Sequence, residues 1–159
     1  MYRMITGTVI RRALGDLDPR AYEKLLARFA PRFEHEFAGD HAMGGRRTVL
    51  EAQKAWFERA FRLLPDSRIT IRDVVVAGWP WRTRVAAFWE VSSPAAGGYH
   101  NIVMQHMEMR WGRITRISTL EDSQYLARAL ARRADEGVPE AAAPPISDDP
   151  STWARIPAT

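Results

Sequence analysis

The chain has 159 residues, 46% of them apolar and 26% charged, and no cysteine. That length favours one domain, the composition is ordinary for a globular protein, and the missing thiols exclude disulfide scaffolds, cysteine nucleophiles and thiolate zinc sites. The net charge of +4 is uneven: residues 1–134 carry 22 basic and 14 acidic side chains, residues 135–159 one and five. Of the 23 cations 21 are arginine, standing singly rather than clustered with stacking aromatics, so no nucleic-acid partner is expected. No apolar run reaches the roughly 18–20 residues of a membrane span, and the Gly7–Ile10 patch is no signal-peptide core. The expectation is a cytoplasmic protein with no membrane partner.

A short helix is predicted over Met4–Leu14, broken at Gly15. Asp18-Pro19 then opens a second, with Asp18 as the cap, Pro19 at the first helical position and Pro31 as its end. Tyr22, Leu25, Leu26 and Phe29 share one face of it at helical spacing. Phe33–Phe37 alternates as a strand with Phe33, His35 and Phe37 inward, and the glycines at 39, 44 and 45 mark a loop. Thr48 and Glu51 have the spacing of a capping box for a helix to Leu64, whose buried stripe is Val49, Gln53, Trp56, Phe57, Ala60, Phe61 and Leu64. Four strands follow, over Arg68–Ala77, Thr83–Ser92, Tyr99–Trp111 and Arg113–Leu120, separated by turns at Gly78–Trp81, Pro94–Gly98 and Gly112. Asp122 caps a last helix, Ser123–Arg133, closed by Gly137. Residues 135–159, acidic and rich in Ala and Pro, read as a largely disordered or loosely docked tail with Trp153 as an anchor.

Early helices followed by a four-strand meander specify an α+β fold with a strongly bent antiparallel sheet. The Tyr99–Trp111 strand is apolar on both faces: Ile102 and Met104 lie opposite Val103 and Met107. A sheet wet on one side does not need them, so the outer face around Ile102, Met104 and His106 is expected to pair with a second copy of the chain.

The stretches His35–Arg47, Trp56–Pro65, Gly78-Trp79-Pro80-Trp81, Arg110–Ile114 and Glu121–Gln124 resemble bacterial SnoaL-like proteins of the nuclear transport factor 2-like superfamily. The resemblance covers residues 1–134. It implies a cone-shaped barrel, a strongly curved antiparallel sheet closed by N-terminal and central helices around a deep apolar pocket. It also implies homodimers formed through the outer sheet face, and a membership that includes polyketide cyclases, ketosteroid isomerases, limonene epoxide hydrolases and non-catalytic binders.

His35, an imidazole carried between Phe33 and Phe37 toward an apolar interior, is the first candidate acid–base group. The ketosteroid isomerase pattern would instead turn Glu36 inward, which the alternation allows only with a bulge; the alternation is followed here. Asp122 matches an acid recurring at the end of the last strand in SnoaL-like sequences, and as a helix cap it also has a structural use. Asn101 and Gln105, two amides on an otherwise apolar inner face, need hydrogen-bond partners that a ligand would supply, with Tyr99 as a further donor. His41 lies at the expected mouth, and Phe37, Trp56, Trp89 and Met107 are expected as apolar walls. The hydrolase pattern is broken: Phe88-Trp89-Glu90 lacks its arginine, and Thr119 stands where its last acid would be. Neither a nucleotide-binding glycine motif nor a G-x-S-x-G elbow occurs, and the spacing of His35, Asp40 and His41 matches no metal motif, so no cofactor and no metal are expected. The function expected is a small cofactor-free enzyme that isomerises, cyclises or hydrates an apolar polyketide- or steroid-like substrate. The alternative is a dimeric binder of a small apolar ligand or an interaction module.

Overall fold

The computed structural model describes residues 1–15 and 22–153. Its elements are α1 (Tyr2–Gly15), α2 (Tyr22–Leu26), β1 (Phe29–Phe37), β2 (Gly45–Arg47), α3 (Leu50–Leu63), β3 (Arg68–Trp79), β4 (Arg82–Ser93), β5 (Tyr99–Arg110), β6 (Arg113–Glu121) and α4 (Ser123–Asp135). Two short 3-10 helices follow at Pro139–Ala142 and Pro150–Thr152. No helix among the described residues is long and apolar enough to cross a membrane.

The six strands form one curved, unclosed sheet in the order β2-β1-β6-β5-β4-β3. β3 to β6 are the predicted antiparallel meander. The β1–β6 junction is parallel, with Glu34 opposite Arg116 and Phe37 opposite Thr119, so the sheet is mixed. Register shifts between Ile71 and Asp73 and between Glu108 and Met109 place an extra residue in β3 and in β6, and bulges of this kind sharpen twist. The concave face holds two apolar clusters. Phe37, Trp56, Phe57, Tyr99, Val103 and Leu126 pack beneath α3 and α4. Ile10, Leu14, Phe29, Phe33, Val85, Met107 and Ile114 pack toward α1.

Several local expectations change. Pro31 does not end a helix: α2 stops at Leu26 and Pro31 lies inside β1. It is tolerated because β2 pairs only with residues 35–37, which leaves the Pro31 position at a sheet edge. Asp18 and Pro19 lie outside the described residues. The capping box does not form, since α3 is capped by Val49, whose side chain makes no cap bond and is exposed. Asp148, a hundred residues away, instead ties down the two residues that lead into the helix. Its carboxylate accepts from the Thr48 amide (2.6 Å), the Thr48 hydroxyl (2.7 Å) and the Val49 amide (3.2 Å). Asp122 caps α4 as predicted, accepting from the Tyr125 amide at 2.9 Å.

Where a loose tail was expected, residues 138–153 form a strap across α3, α4 and the loop after β1. Ala141, Ala143 and Ile146 are buried, and Trp153 packs against the same core. Glu140 accepts two hydrogen bonds from the Arg62 guanidinium, both 2.7 Å, and lies 3.5 Å from Arg59 Nε. Arg59 also donates to the carbonyls of Ala42, Pro144 and Thr152. Its burial was not foreseen, because a lone arginine in a helix reads as solvated.

Candidate functional site

Alternation along β6 sends Ile117, Thr119 and Glu121 to the concave side, and along β5 it sends Tyr99, Asn101, Val103 and Gln105 there. His35 and Phe37 reach the same interior from β1, and Gln53 and Trp56 from α3. Two of the cavities lie between this face and the helices. One of about 80 Å³ lies beneath α3, with Phe37, Trp56, Phe57, Trp89, Val91 and Glu121 on its wall. The other, about 210 Å³, lies between α1 and the sheet, with Ile10, Leu14, Met107, Met109 and Ile114 on its wall and Arg28 as its one ionisable cation.

Glu121 is the one carboxyl on the smaller cavity's wall. Burial pushes it up to about 8; the hydrogen bond from Tyr99 works against that rise and the charge of Asp122 adds to it. A relay holds it in place. Asn101 Nδ2 donates to Tyr99 Oη at 2.9 Å, and Tyr99 Oη donates to Glu121 Oε1 at 3.3 Å. Asn101 is otherwise satisfied by the protein, donating to the Asp122 carbonyl at 3.1 Å and accepting from the Ile102 amide at 2.8 Å. Trp89 lines the same cavity, and its Nε1 is buried with no partner among the described residues. An acid and an unpaired N–H donor therefore share one apolar wall.

His35 is inward and buried, and Glu36 is exposed, so the alternation holds from Phe33 to Phe37, past the register shift between Phe29 and Glu34. The imidazole stands behind the cavity wall rather than on it, 5.0 Å edge-on to Trp56. Its Nδ1 lies 2.7 Å from Gln53 Oε1, and its Nε2 lies 3.5 Å from Thr119 Oγ1, which itself accepts from Gln105 Nε2 at 3.0 Å. An amide oxygen can only accept, so Nδ1 carries the proton and donates to Gln53. Burial, with the Arg47 charge adding, holds His35 well below its ordinary value, and it is neutral at pH 7. Arg47 pairs with His35 across β1–β2, is fully buried, and stacks its guanidinium 5.0 Å over Trp56.

The remaining predicted residues scatter. Phe37, Trp56 and Trp89 line the smaller cavity, and Met107 lines the larger one. Tyr99 and Asn101 stand behind Glu121, and Gln105 binds Thr119 while its Oε1 stays unpaired. His41 is buried edge-on to Phe37, 6.0 Å between centroids. The Asp122 side chain is spent on the α4 cap. Among the described residues no three histidines or carboxylates converge where a metal ion could sit.

Residues 10–117 match the SnoaL-like domain family. The chain belongs to that family. Solved structures agree on the SnoaL-like fold at low identity. PrhC from Penicillium brasilianum NBRC 6234 is 13% identical over 86% of this chain and 92% of its own, with a TM-score of 0.68. An NTF2-like protein of unknown function from Burkholderia pseudomallei K96243 is 18% identical over 81% and 97%, TM-score 0.61. A protein with a ketosteroid isomerase-like fold from Catenulispora acidiphila DSM 44928, in complex with trimethylamine, is 19% identical over 74% and 83%, TM-score 0.53. No curated protein matches the chain by sequence. The SnoaL-like match ends at residue 117, so Glu121, α4 and the strap lie beyond it.

Sequence reasoning did not single out Glu121. Its signal was present, since the inward alternation Ile117, Thr119, Glu121 ends on an acid. The family pattern drew attention to its neighbour, Asp122.

Proposed function

We propose that this chain is a small acid–base enzyme of the SnoaL-like kind, acting without a cofactor to isomerise or cyclise an apolar substrate that carries a carbonyl. The observation that supports this reading is a carboxyl kept protonated near neutral pH on the wall of an apolar cavity. Such an acid protonates the substrate oxygen or a ring carbon, and the carboxylate left behind takes a proton from the neighbouring carbon. The enzyme returns to its starting form, and no proton is gained or lost. Trp89 Nε1 supplies a hydrogen bond to the oxygen as charge builds there; one such donor is typically worth about 3 kcal/mol in a dry site. Tyr99 and Asn101 position the acid. His35, neutral and tied to Gln53, sets the shape of the wall through Trp56. At about 80 Å³ the cavity is well below the roughly 300–1,000 Å³ of common ligand pockets, so it takes the reacting end of a substrate and not a whole fused-ring system.

The test is turnover by purified protein on small cyclic enones and β-keto esters. Glu121→Gln is expected to lower it by about 10²–10⁴-fold, the usual range for an acid–base group, with melting temperature unchanged or raised. Full activity in Glu121→Gln, with loss in a folded His35→Gln, overturns the assignment. A second reading, a binder of apolar ligands, is favoured by the larger cavity, where α1 meets the sheet almost entirely through aliphatic and Met side chains. A ligand retained in native mass spectra, with no turnover by the wild-type protein on any substrate, would select that reading. We also propose a homodimer through the convex sheet face, which exposes Val75, Ile102, Met104 and Leu120 together.

A further inference from the structure

At the end of the sheet where β3 turns into β4 and β5 into β6, three indoles stand in the open. Trp79 is 57% exposed, Trp81 54% and Trp111 72%. Trp79 and Trp81 stack with centroids 5.8 Å apart and planes 5° from parallel, and Trp111 lies 6.2 Å from Trp81. The two turns are joined, since the Trp111 amide donates to the Pro80 carbonyl at 2.6 Å. Trp111 has φ +50, the left-handed region that a bulky side chain enters only at a cost. A two-residue turn of this kind favours Asn or Gly at that position. The indole is thus not there for the turn. It is presented outward, beside Trp81.

The surroundings identify what the indoles meet. Arg82, Arg110 and Arg113 flank the turns, all are exposed, and none makes an ion pair with a carboxylate among the described residues. No Asp, Glu, Asn or Gln lies within residues 78–83 or 109–114, so the amides and acids that a sugar-binding aromatic platform needs for hydroxyl groups are missing there. Met1, Met4 and Ile5, exposed at the start of α1, continue the apolar surface, because Tyr2 bonds Thr83 at 2.6 Å and brings that turn of helix alongside. Pro80, Gly112, Tyr2 and Ile5 also border the 210 Å³ apolar cavity.

We propose that this end of the molecule docks on the surface of an anionic lipid bilayer, with Trp79, Trp81 and Trp111 at headgroup depth and Arg82, Arg110 and Arg113 on lipid phosphates. Indoles settle at the boundary of headgroups and hydrocarbon because one edge is polar and the rest apolar. Each nearby arginine strengthens attraction to a negatively charged membrane, and the contribution falls with salt. The sequence-based expectation of no membrane partner rested on the absence of a spanning segment, and surface docking needs none. The larger cavity then opens toward the source of apolar molecules. The inference rests on this surface alone and is independent of the acid on Glu121.

The experiment is co-sedimentation of the full chain with vesicles of phosphatidylglycerol and phosphatidylcholine, against phosphatidylcholine alone. The expected result is at least ten-fold tighter binding to the anionic vesicles at low salt, lost at high salt. The variant Trp79→Ser/Trp81→Ser/Trp111→Ser is expected to lower binding at least ten-fold, with far-ultraviolet circular dichroism confirming its fold. Arg82→Gln/Arg110→Gln/Arg113→Gln is expected to abolish the preference for phosphatidylglycerol. Brominated lipids in the same vesicles are expected to quench wild-type tryptophan emission, a readout that needs no variant. Wild-type protein left in the supernatant with unquenched emission overturns the proposal. So does equal binding by the folded triple-serine variant. Self-association lost on Trp111→Ser, without vesicle binding, overturns it in favour of a second copy of this chain.

Discussion

Burial favours the protonated form of the half-buried Glu121, pushed up to about 8, and the unprotonated form of the fully buried His35. Their effects on stability have opposite signs. Folding raises Glu121 from 4.5 to about 8, so its favourable contribution is complete below pH 4.5 and is lost as pH climbs to 8. Folding lowers His35 from 6.5, so the unfolded chain binds that proton first and stability falls as pH drops below 6.5. His41, also lowered by burial, works in the same direction. Between pH 6.5 and 8 Glu121 acts without opposition from either imidazole. In that window wild-type protein is expected to lose up to about 1.4 kcal/mol per pH unit, the limit for one proton. Glu121→Gln is expected to be flat there, and melting temperatures measured from pH 6 to 9 decide it. A wild-type curve as flat as the variant's would mean that Glu121 ionises normally. At this scale the sequence was legible where alternation alone decides, as with His35 inward and Glu36 outward. It was silent on ionisation, which depends on how Tyr99, Phe37 and Trp89 surround a carboxyl from three other strands.

Among the elements, the strap has a few strong polar anchors beside its buried Ala141, Ala143 and Ile146. Glu140 and Arg59 are both almost fully buried, and removing one partner of such a pair strands the other charge. Glu140→Ala is expected to cost about 3 kcal/mol, the low end for a broken buried pair because Arg59 keeps three carbonyl partners. Replacing both residues with Met is expected to cost less than Glu140→Ala alone. Urea denaturation of the three proteins measures the difference, and additive losses would count against a coupled pair. Asp148→Ala removes the acceptor for the residues leading into α3 and is expected to cost about 1 kcal/mol, as for lost hydrogen bonds. None of this was readable in the Ala- and Pro-rich composition, which describes average tendency. The anchors are single residues whose partners lie 78 and 100 positions away. α3 and α4, by contrast, were legible because helical periodicity and a capping aspartate are local signals. The failed capping box is instructive in the same way: Thr48 and Glu51 have the right spacing, yet the strap offers Thr48 a charged acceptor instead.

For the whole molecule, the convex face makes the clearest demand. Val75, Ile102, Met104 and Leu120 are each about half exposed or more, a patch that a lone soluble chain seldom carries. Ile102→Glu is expected to shift the protein from dimer to monomer in light scattering, with little change in the far-ultraviolet spectrum. A monomeric wild type at tens of micromolar would leave that face without its partner. The α+β layering and the meander were legible in the sequence, because strand alternation and glycine turns are written locally. The seating of β1 beside β6 was not, since nothing near Phe33 says which distant strand it joins. That seating has a consequence for synthesis. The ribosome releases β1 early, and its long-term neighbour is the last strand to emerge. Until then only the three residues of β2 are available to it. A nascent chain therefore carries Phe29, Phe33 and Phe37 along an open backbone edge through most of its translation, where chaperones and sticky neighbours have their longest access to it.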